Sequence, residues 1–194
     1  MRVTHNHSLA LSLATVHALP VFPARERPHK YNDRKTGKMR TLNAKSPYTK
    51  RGLKEATTDP TQITKWWTEH PDALAAVVCG AQSGILVVDI DTGGDKCGEA
   101  SFASTGLKVP ETVQTRTMSG GRHLLFKYPT GANIKNSAST CFGQDVDVRA
   151  EGGYVIFAGS VLPDGRRYEY VEGLSIEEVD IAPLPDEYLK RLLA

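Results

Sequence analysis

Three clusters of side chains in this sequence have the types and spacing to do chemistry, and the first is Asp89-Ile90-Asp91. It follows Ile85-Leu86-Val87-Val88, an apolar, β-branched run that reads as a buried strand ending at a functional edge. Side chains alternate along a strand, so Leu86, Val88 and Ile90 share one face while Ile85, Val87, Asp89 and Asp91 share the other. Two Cα atoms two residues apart on a strand are roughly 6.5 Å apart, near enough for both carboxylates to close on one cation or bridge a pair. Two unpaired like charges beside a core would repel, and hard oxygen donors favour Mg²⁺ or Mn²⁺ as the neutraliser. An isolated Asp-x-Asp is equally an ordinary strand end whose acids meet solvent, Lys or Arg.

The second cluster is Ser119-Gly120-Gly121-Arg122-His123, at the tip of a hairpin expected between Thr112–Thr117 and His123–Tyr128. His123, Leu125 and Lys127 share one face of the second strand, and Arg122, Leu124, Phe126 and Tyr128 the other. Glycines admit a phosphate to backbone N–H groups, and His123 and Arg122 add donors, so the tip can cradle a triphosphate. A plain hairpin turn explains the same residues. The third cluster is Asp147-Val148-Arg149, where alternation puts Asp145, Asp147 and Arg149 on one face. Tyr154–Ala158 reads as the partner strand of a second hairpin, turned at Glu151-Gly152-Gly153. Asp147 supplies the further carboxylate a two-metal site requires. A surface salt bridge between Asp147 and Arg149 is the alternative.

The elements that must hold these clusters read as a mixture of helices and short strands. Ser8 caps a first helix with Leu9, Leu13, Val16 and Leu19 on its apolar side, stopped by Pro20. Arg2 ahead of that run imitates a signal peptide, but His17 and other polar residues interrupt it, and it is too short to span a bilayer. Val21-Phe22 is a short strand, and Arg25–Lys54 a long surface loop. Thr58-Asp59-Pro60 starts a second helix carrying Ile63 and the core residues Trp66 and Trp67, ended by Pro71. Ala75–Cys79 is a strand, a brief helix covers Lys96–Ser104, and a last helix runs from Pro185 to Leu193.

The 194 residues suit one domain, and the net charge of +2 conceals an asymmetry. Residues 1–70 hold 13 Lys or Arg against 5 acids, residues 71–194 hold 11 against 17, and residues 25–54 alone hold 11 against 2. The N-terminal part therefore offers a positive field suited to a phosphate backbone, or a solvated basic loop. Cys79, Cys97 and Cys141 are odd in number, with no ligand spacing, which argues against a disulfide framework or structural zinc and points to the cytoplasm.

In this order and spacing the motifs Val88-Asp89-Ile90-Asp91, Ser119-Gly120-Gly121-Arg122-His123 and Val146-Asp147-Val148-Arg149 with Gly152-Gly153-Tyr154 resemble the primase-polymerase domain of the archaeo-eukaryotic primase superfamily, found in plasmid and phage replication proteins. The resemblance covers nearly the whole chain. It implies an α+β fold: an RRM-like antiparallel catalytic sheet over 85–194 and an N-terminal α/β lobe over 1–84, together one domain of 1–194. It also implies that Asp89, Asp91 and Asp147 hold two Mg²⁺ or Mn²⁺ ions and that His123 contacts the incoming nucleotide's phosphates. Arg122, Lys127 and Arg149 are then charge partners, with Ser119, Gly120 and Gly121 forming the phosphate cradle. Relatives often carry Ser where this chain has Gly121, so this chain offers no hydroxyl at that position. The implied activity is DNA primase/polymerase on single-stranded DNA with dNTP or NTP, with a helicase domain or subunit as possible partner and Lys45 among candidate template contacts. Two rivals stay open: a nucleotide-sugar glycosyltransferase using Asp-x-Asp, and a non-catalytic nucleic-acid-binding module. A haloacid-dehalogenase-type phosphatase fits less well, because Thr92 precedes Gly93 and hairpins follow.

Overall fold

Residues 3–194 are described by a computed structural model of the chain, and Arg2 lies outside them. The first helix, α1 (His5–Thr15), is capped by Thr4, whose hydroxyl accepts from the His7 N–H. It begins ahead of the expected Ser8 cap because two polar residues in its first turn find tertiary partners. Asn6 exchanges hydrogen bonds with the Val161 backbone at 2.9 Å each way, and His7 meets Thr64. Val16, expected on the apolar side, lies past the helix and is exposed.

After β1 (Val21–Ala24), the expected long loop instead contains an antiparallel hairpin, β2 (His29–Asn32) and β3 (Met39–Leu42), then a 3₁₀ turn at Gly52–Glu55. The hairpin is nearly all exposed, so no alternation of polar and apolar residues announces it. Its turn is set by Asp33, whose Oδ1 accepts from the Lys35 and Thr36 N–H groups, and by Gly37 at φ +65°. Helix α2 (Pro60–Glu69) forms as expected, capped by Asp59 with Pro60 in its first turn. Ile63, Trp66 and Trp67 are buried, and the Trp67 indole donates to the Ala73 carbonyl, so the tryptophans are core.

The chain continues through β4 (Leu74–Val78), β5 (Ile85–Ile90), the short ribbon β6 (Thr92–Gly93) and β7 (Lys96–Cys97), and α3 (Gly98–Ser104). Then come β8 (Gln114–Arg116), β9 (Arg122–Lys127), β10 (Val146–Arg149), β11 (Tyr154–Ile156), β12 (Glu169–Tyr170), β13 (Ala182–Pro183) and α4 (Asp186–Leu193). Two sheets carry the architecture. One has the order β1-β4-β11; the larger has the order β10-β5-β9-β8-β12, with β13 parallel to the end of β9.

β8 and β9 form the expected hairpin, but the expected second hairpin does not form. β10 pairs with β5, and β11 pairs with β4 in the other sheet. The turn between them crosses from sheet to sheet: Ala150 N–H is taken by Asn136 Oδ1, Gly153 N–H returns to the Ala150 carbonyl, and Cys79 N–H donates to the Gly153 carbonyl. Similarly, Lys96-Cys97 joins the β6–β7 ribbon, so the third helix starts at Gly98.

β5 is covered on both faces, which explains its unbroken apolar run. Ile85 and Val87 pack with Leu125 and the β1-β4-β11 sheet, while Leu86, Val88 and Ile90 pack with Leu124, Phe126, Phe102 and Tyr188. Helices and antiparallel strands mix as an α+β fold requires. No helix among the described residues is long and apolar enough to cross a membrane.

Candidate active site

The position of β5 between β10 and β9 makes the site. In the register, Asp89 stands opposite Asp147 on one side and His123 on the other, and His123 in turn stands opposite Thr115 of β8. Directly paired residues on neighbouring strands face the same way, with strands about 4.8 Å apart. Asp147, Asp89 and His123 therefore form one rung of titratable side chains about 10 Å long.

Asp89 is buried, 8% exposed, and is held from both sides. His123 Nε2 lies 3.4 Å from its Oδ1, and Arg149 donates to its Oδ2 from Nε and Nη2 at 3.2 and 3.1 Å. The same Arg149 Nη2 donates to Asp147 Oδ2 at 2.8 Å. The Asp147–Arg149 ion pair is thus present, and it extends inward to clasp the buried acid. Asp91 sits one residue past β5. Its N–H donates to the Asp145 carbonyl, its carbonyl accepts from Gly98 N–H, and its carboxylate takes Lys96 Nζ at 2.6 Å.

Burial alone would raise the Asp89 carboxyl, but the hydrogen bond and charge of His123, with the charge of Arg149, outweigh it and bring it from 3.8 down to about 2. Burial would lower Arg149, yet Asp89 and Asp147 raise it, and the hydrogen bond to Asp91 raises Lys96. A depressed carboxyl stabilises the fold above its unfolded pKa and loses that contribution as pH falls through the folded value. We predict that between pH 5 and 2 the native chain loses roughly 2 kcal/mol more stability than Asp89→Asn. Urea unfolding across that range measures it, and parallel pH curves for the two proteins would contradict it.

A cavity of about 230 Å³ opens on the rung, lined by Asp89, His123 and Arg149 together with Lys45, Tyr154 and Tyr168. Lys45 Nζ stands 5.7 Å from the centre of the Tyr168 ring, and that ring lies 6.0 Å from His123. The Lys45 backbone is pinned at φ +67°, its carbonyl accepting from the Tyr154 hydroxyl at 3.0 Å. Cationic side chains and aromatic rings in one cavity suit a ligand with phosphates and a flat ring system.

Not every residue singled out from the sequence comes to this cavity. Arg122 points to the opposite side of the sheet and forms a two-pronged pair with Glu99 of α3 at 2.6 and 2.9 Å. Lys127 shares the His123 face but pairs with Ile85, four residues and roughly 13 Å along the strand. Ser119, Gly120 and Gly121 lie outside the cavity lining. Within the turn Thr117 N–H bonds to the Gly121 carbonyl and Gly120 N–H to the Thr117 carbonyl, so the Gly120 donor is already engaged. A Cβ on Gly121 would collide with the Ile90 carbonyl, so no serine fits there without a shift. Conversely, Tyr168 and Asn136 border the cavity with no local sequence signal, and Lys45 stood only in an undifferentiated basic stretch.

Among the described residues no three His, Cys, Asp or Glu side chains converge on one point as a ready-made metal cage. The donor type nevertheless fits a hard divalent cation: the carboxylates of Asp89, Asp91 and Asp147 gather at one end of the sheet, each balanced by Arg149 or Lys96. Asp91, Asp145 and Asp89 raise Lys96, and Asp89, Asp147 and Asp91 raise Arg149, so these acids form one acidic centre whose charge the two cations share.

No curated protein matches the chain. The family model of the N-terminal domain of bifunctional DNA primase/polymerases, Prim-Pol, matches residues 10–187, a span that contains every strand of both sheets and the whole acidic centre. With nearly the whole chain matched, it belongs to the bifunctional DNA primase/polymerase family.

Proposed function

We propose that this domain is a metal-dependent nucleotidyltransferase that makes or extends primers on single-stranded DNA, in the replication of a plasmid, phage or other mobile element. The observation that carries the reading is the Asp89–His123 pair lining a cavity edged by Arg149 and Lys45, with Asp147 opposite Asp89 in the register but outside the lining. In it the β10-β5-β9-β8 strands serve as the RRM-like core, and Asp89, Asp91 and Asp147 would hold Mg²⁺ or Mn²⁺. When bound, such ions lower the pKa of an attacking hydroxyl and neutralise a departing pyrophosphate. His123, Arg149 and Lys45 bind the phosphates, and the tyrosine rings wall the cavity and exclude water.

Incorporation of labelled dNTPs and NTPs on single-stranded DNA, with and without primer, in Mg²⁺ and in Mn²⁺, tests the reading. Metal-dependent product supports it, and the unprimed reaction separates priming from extension. Absence of product from folded protein in every condition would overturn it in favour of the non-catalytic module. That second reading draws on the Arg149 and Lys96 clasps, which leave each carboxylate already satisfied. Family membership weighs against the sugar-nucleotide reading.

Lys45 separates two roles. If it binds triphosphate, Lys45→Ala raises KM for the nucleotide about tenfold, the loss of one charge-assisted hydrogen bond of about 1.4 kcal/mol, with DNA affinity little changed. An unchanged KM with weakened DNA binding would restore it to the template.

A further inference from the structure

The exposed hairpin β2–β3 has no packing reason to exist, since a lone two-stranded ribbon is marginal in water. Residues 25–42 carry seven Lys or Arg against two acids. Both acids are already engaged, Glu26 with Arg27 and the Tyr48 hydroxyl, and Asp33 with Arg40. Among the described residues Lys30, Arg34, Lys35 and Lys38 have no ion-pair partner. The register places His29, Tyr31, Arg40 and Leu42 on one face of the ribbon. His29 also lines a second cavity, of about 370 Å³, with Arg25, Arg27, Tyr48 and His70.

Two arginines, Arg25 and Arg27, and one acid, Glu26, line the root of the hairpin. The Arg25 guanidinium stacks 4.1 Å from the Tyr48 ring centre, and the other face of Tyr48 is covered by His70, with ring centres 3.9 Å apart. Arg25 Nε is buried there with no hydrogen-bond partner, a donor lacking an acceptor. Arg25 and Lys45 are joined through their backbones, the Lys45 N–H donating to the Arg25 carbonyl at 2.7 Å. Only two residues separate the end of β3 at Leu42 from Lys45, which lines the active-site cavity. A polyanion lying along the ribbon would lead to that cavity.

We propose that the Tyr31 face of the β2–β3 hairpin and the Arg25 pocket at its root form a binding surface for single-stranded DNA. Phosphates lie against Arg25 and the tip cations Arg34, Lys35 and Lys38, and an unpaired base stacks on Tyr31. Single strands are the partner because Tyr31, 36% exposed, offers a ring face that only unpaired bases can use. The inference rests on the reading that this domain acts on single-stranded DNA.

The test is fluorescence anisotropy of the full chain with a labelled 20-nucleotide single strand across a salt series. Arg34→Glu/Lys35→Glu/Lys38→Glu should weaken binding at least thirtyfold and flatten the slope of log K against log salt by about 2, three contacts at about 0.7 each. Tyr31→Ala should weaken binding about tenfold with the slope unchanged. Unchanged affinity and slope in the triple variant, or no binding by the native chain, overturns the proposal. So does equally tight, equally hairpin-dependent binding of a duplex of the same length. Thermal unfolding confirms that the variants are folded, as their place on the exposed hairpin leads us to expect. Incorporation assays on the same preparations keep the two readings apart. Native incorporation with hairpin-independent binding removes only the hairpin surface, and hairpin-dependent binding without incorporation removes only nucleotidyl transfer.

Discussion

Asp89→Asn should reduce nucleotide incorporation on the order of a thousandfold or more while leaving single-stranded DNA bound. The substitution keeps the shape of the side chain and removes its charge. That charge is the inner member of the rung, shared by His123 and Arg149 and largely buried at the wall of the cavity. Removing one partner of a fully buried pair costs about 3–5 kcal/mol. Here the Arg149 side chain is 33% exposed and keeps Asp147, so we expect a loss of about 2 kcal/mol at neutral pH. The protein therefore remains folded while activity disappears, and chemical denaturation beside the incorporation assay separates the two effects. Activity within tenfold of native would show that Asp89 anchors Arg149 structurally and does no chemistry.

The second large effect is at a glycine with no place in any of the three motifs. Gly98→Ala should destabilise the domain by about 3 kcal/mol and abolish incorporation in the fraction that stays folded. Gly98 opens α3 with its N–H on the Asp91 carbonyl, and Asp91 N–H in turn reaches the Asp145 carbonyl. An alanine Cβ would stand 2.6 Å from the Asp145 carbonyl oxygen and nearer still to that of Asp91. Both are backbone atoms that cannot swing aside, so the end of β5 must move and Asp91 with it. Gly94→Ala is the control: at φ +58° it is strained by about 1 kcal/mol but meets nothing within 4 Å. If the two alanines behave alike in unfolding and incorporation, the clamp at Gly98 does not position Asp91.

The structure assigns its cations differently from their order in the chain. Arg122 sits beside His123 in sequence yet serves Glu99 across the sheet, because neighbouring strand residues face opposite ways. Lys45 lies 44 residues before Asp89 and still lines the same cavity, brought there by the Tyr154 hydroxyl and the Arg25 backbone. The acidic centre thus takes its ion-pair partners from β10 and the β6–β7 ribbon, and the cavity beside it takes Lys45 from the N-terminal basic segment.

The features legible in the residues alone are local ones. The alternation of Ile85–Asp89 and of Asp147–Arg149 set which side chains share a face, Asp59-Pro60 started α2 where it starts, and three ordered motifs carried the family resemblance. None of these needs knowledge of a distant residue, because strand alternation and helix capping act within a few positions. The remaining features depend on contacts between distant parts of the chain. Asp89 meets Asp147 because β10 pairs with β5 and not with its neighbour in sequence, β11. Strand pairing is chosen by which apolar faces must be covered: Val146 and Val148 pack with Val88 and Ile90, while Val155 and Ile156 belong to the other core. The hairpin within the basic segment stayed illegible for the opposite reason. It buries almost nothing, so its register is written in one Asp33 turn and leaves no hydrophobic pattern to read.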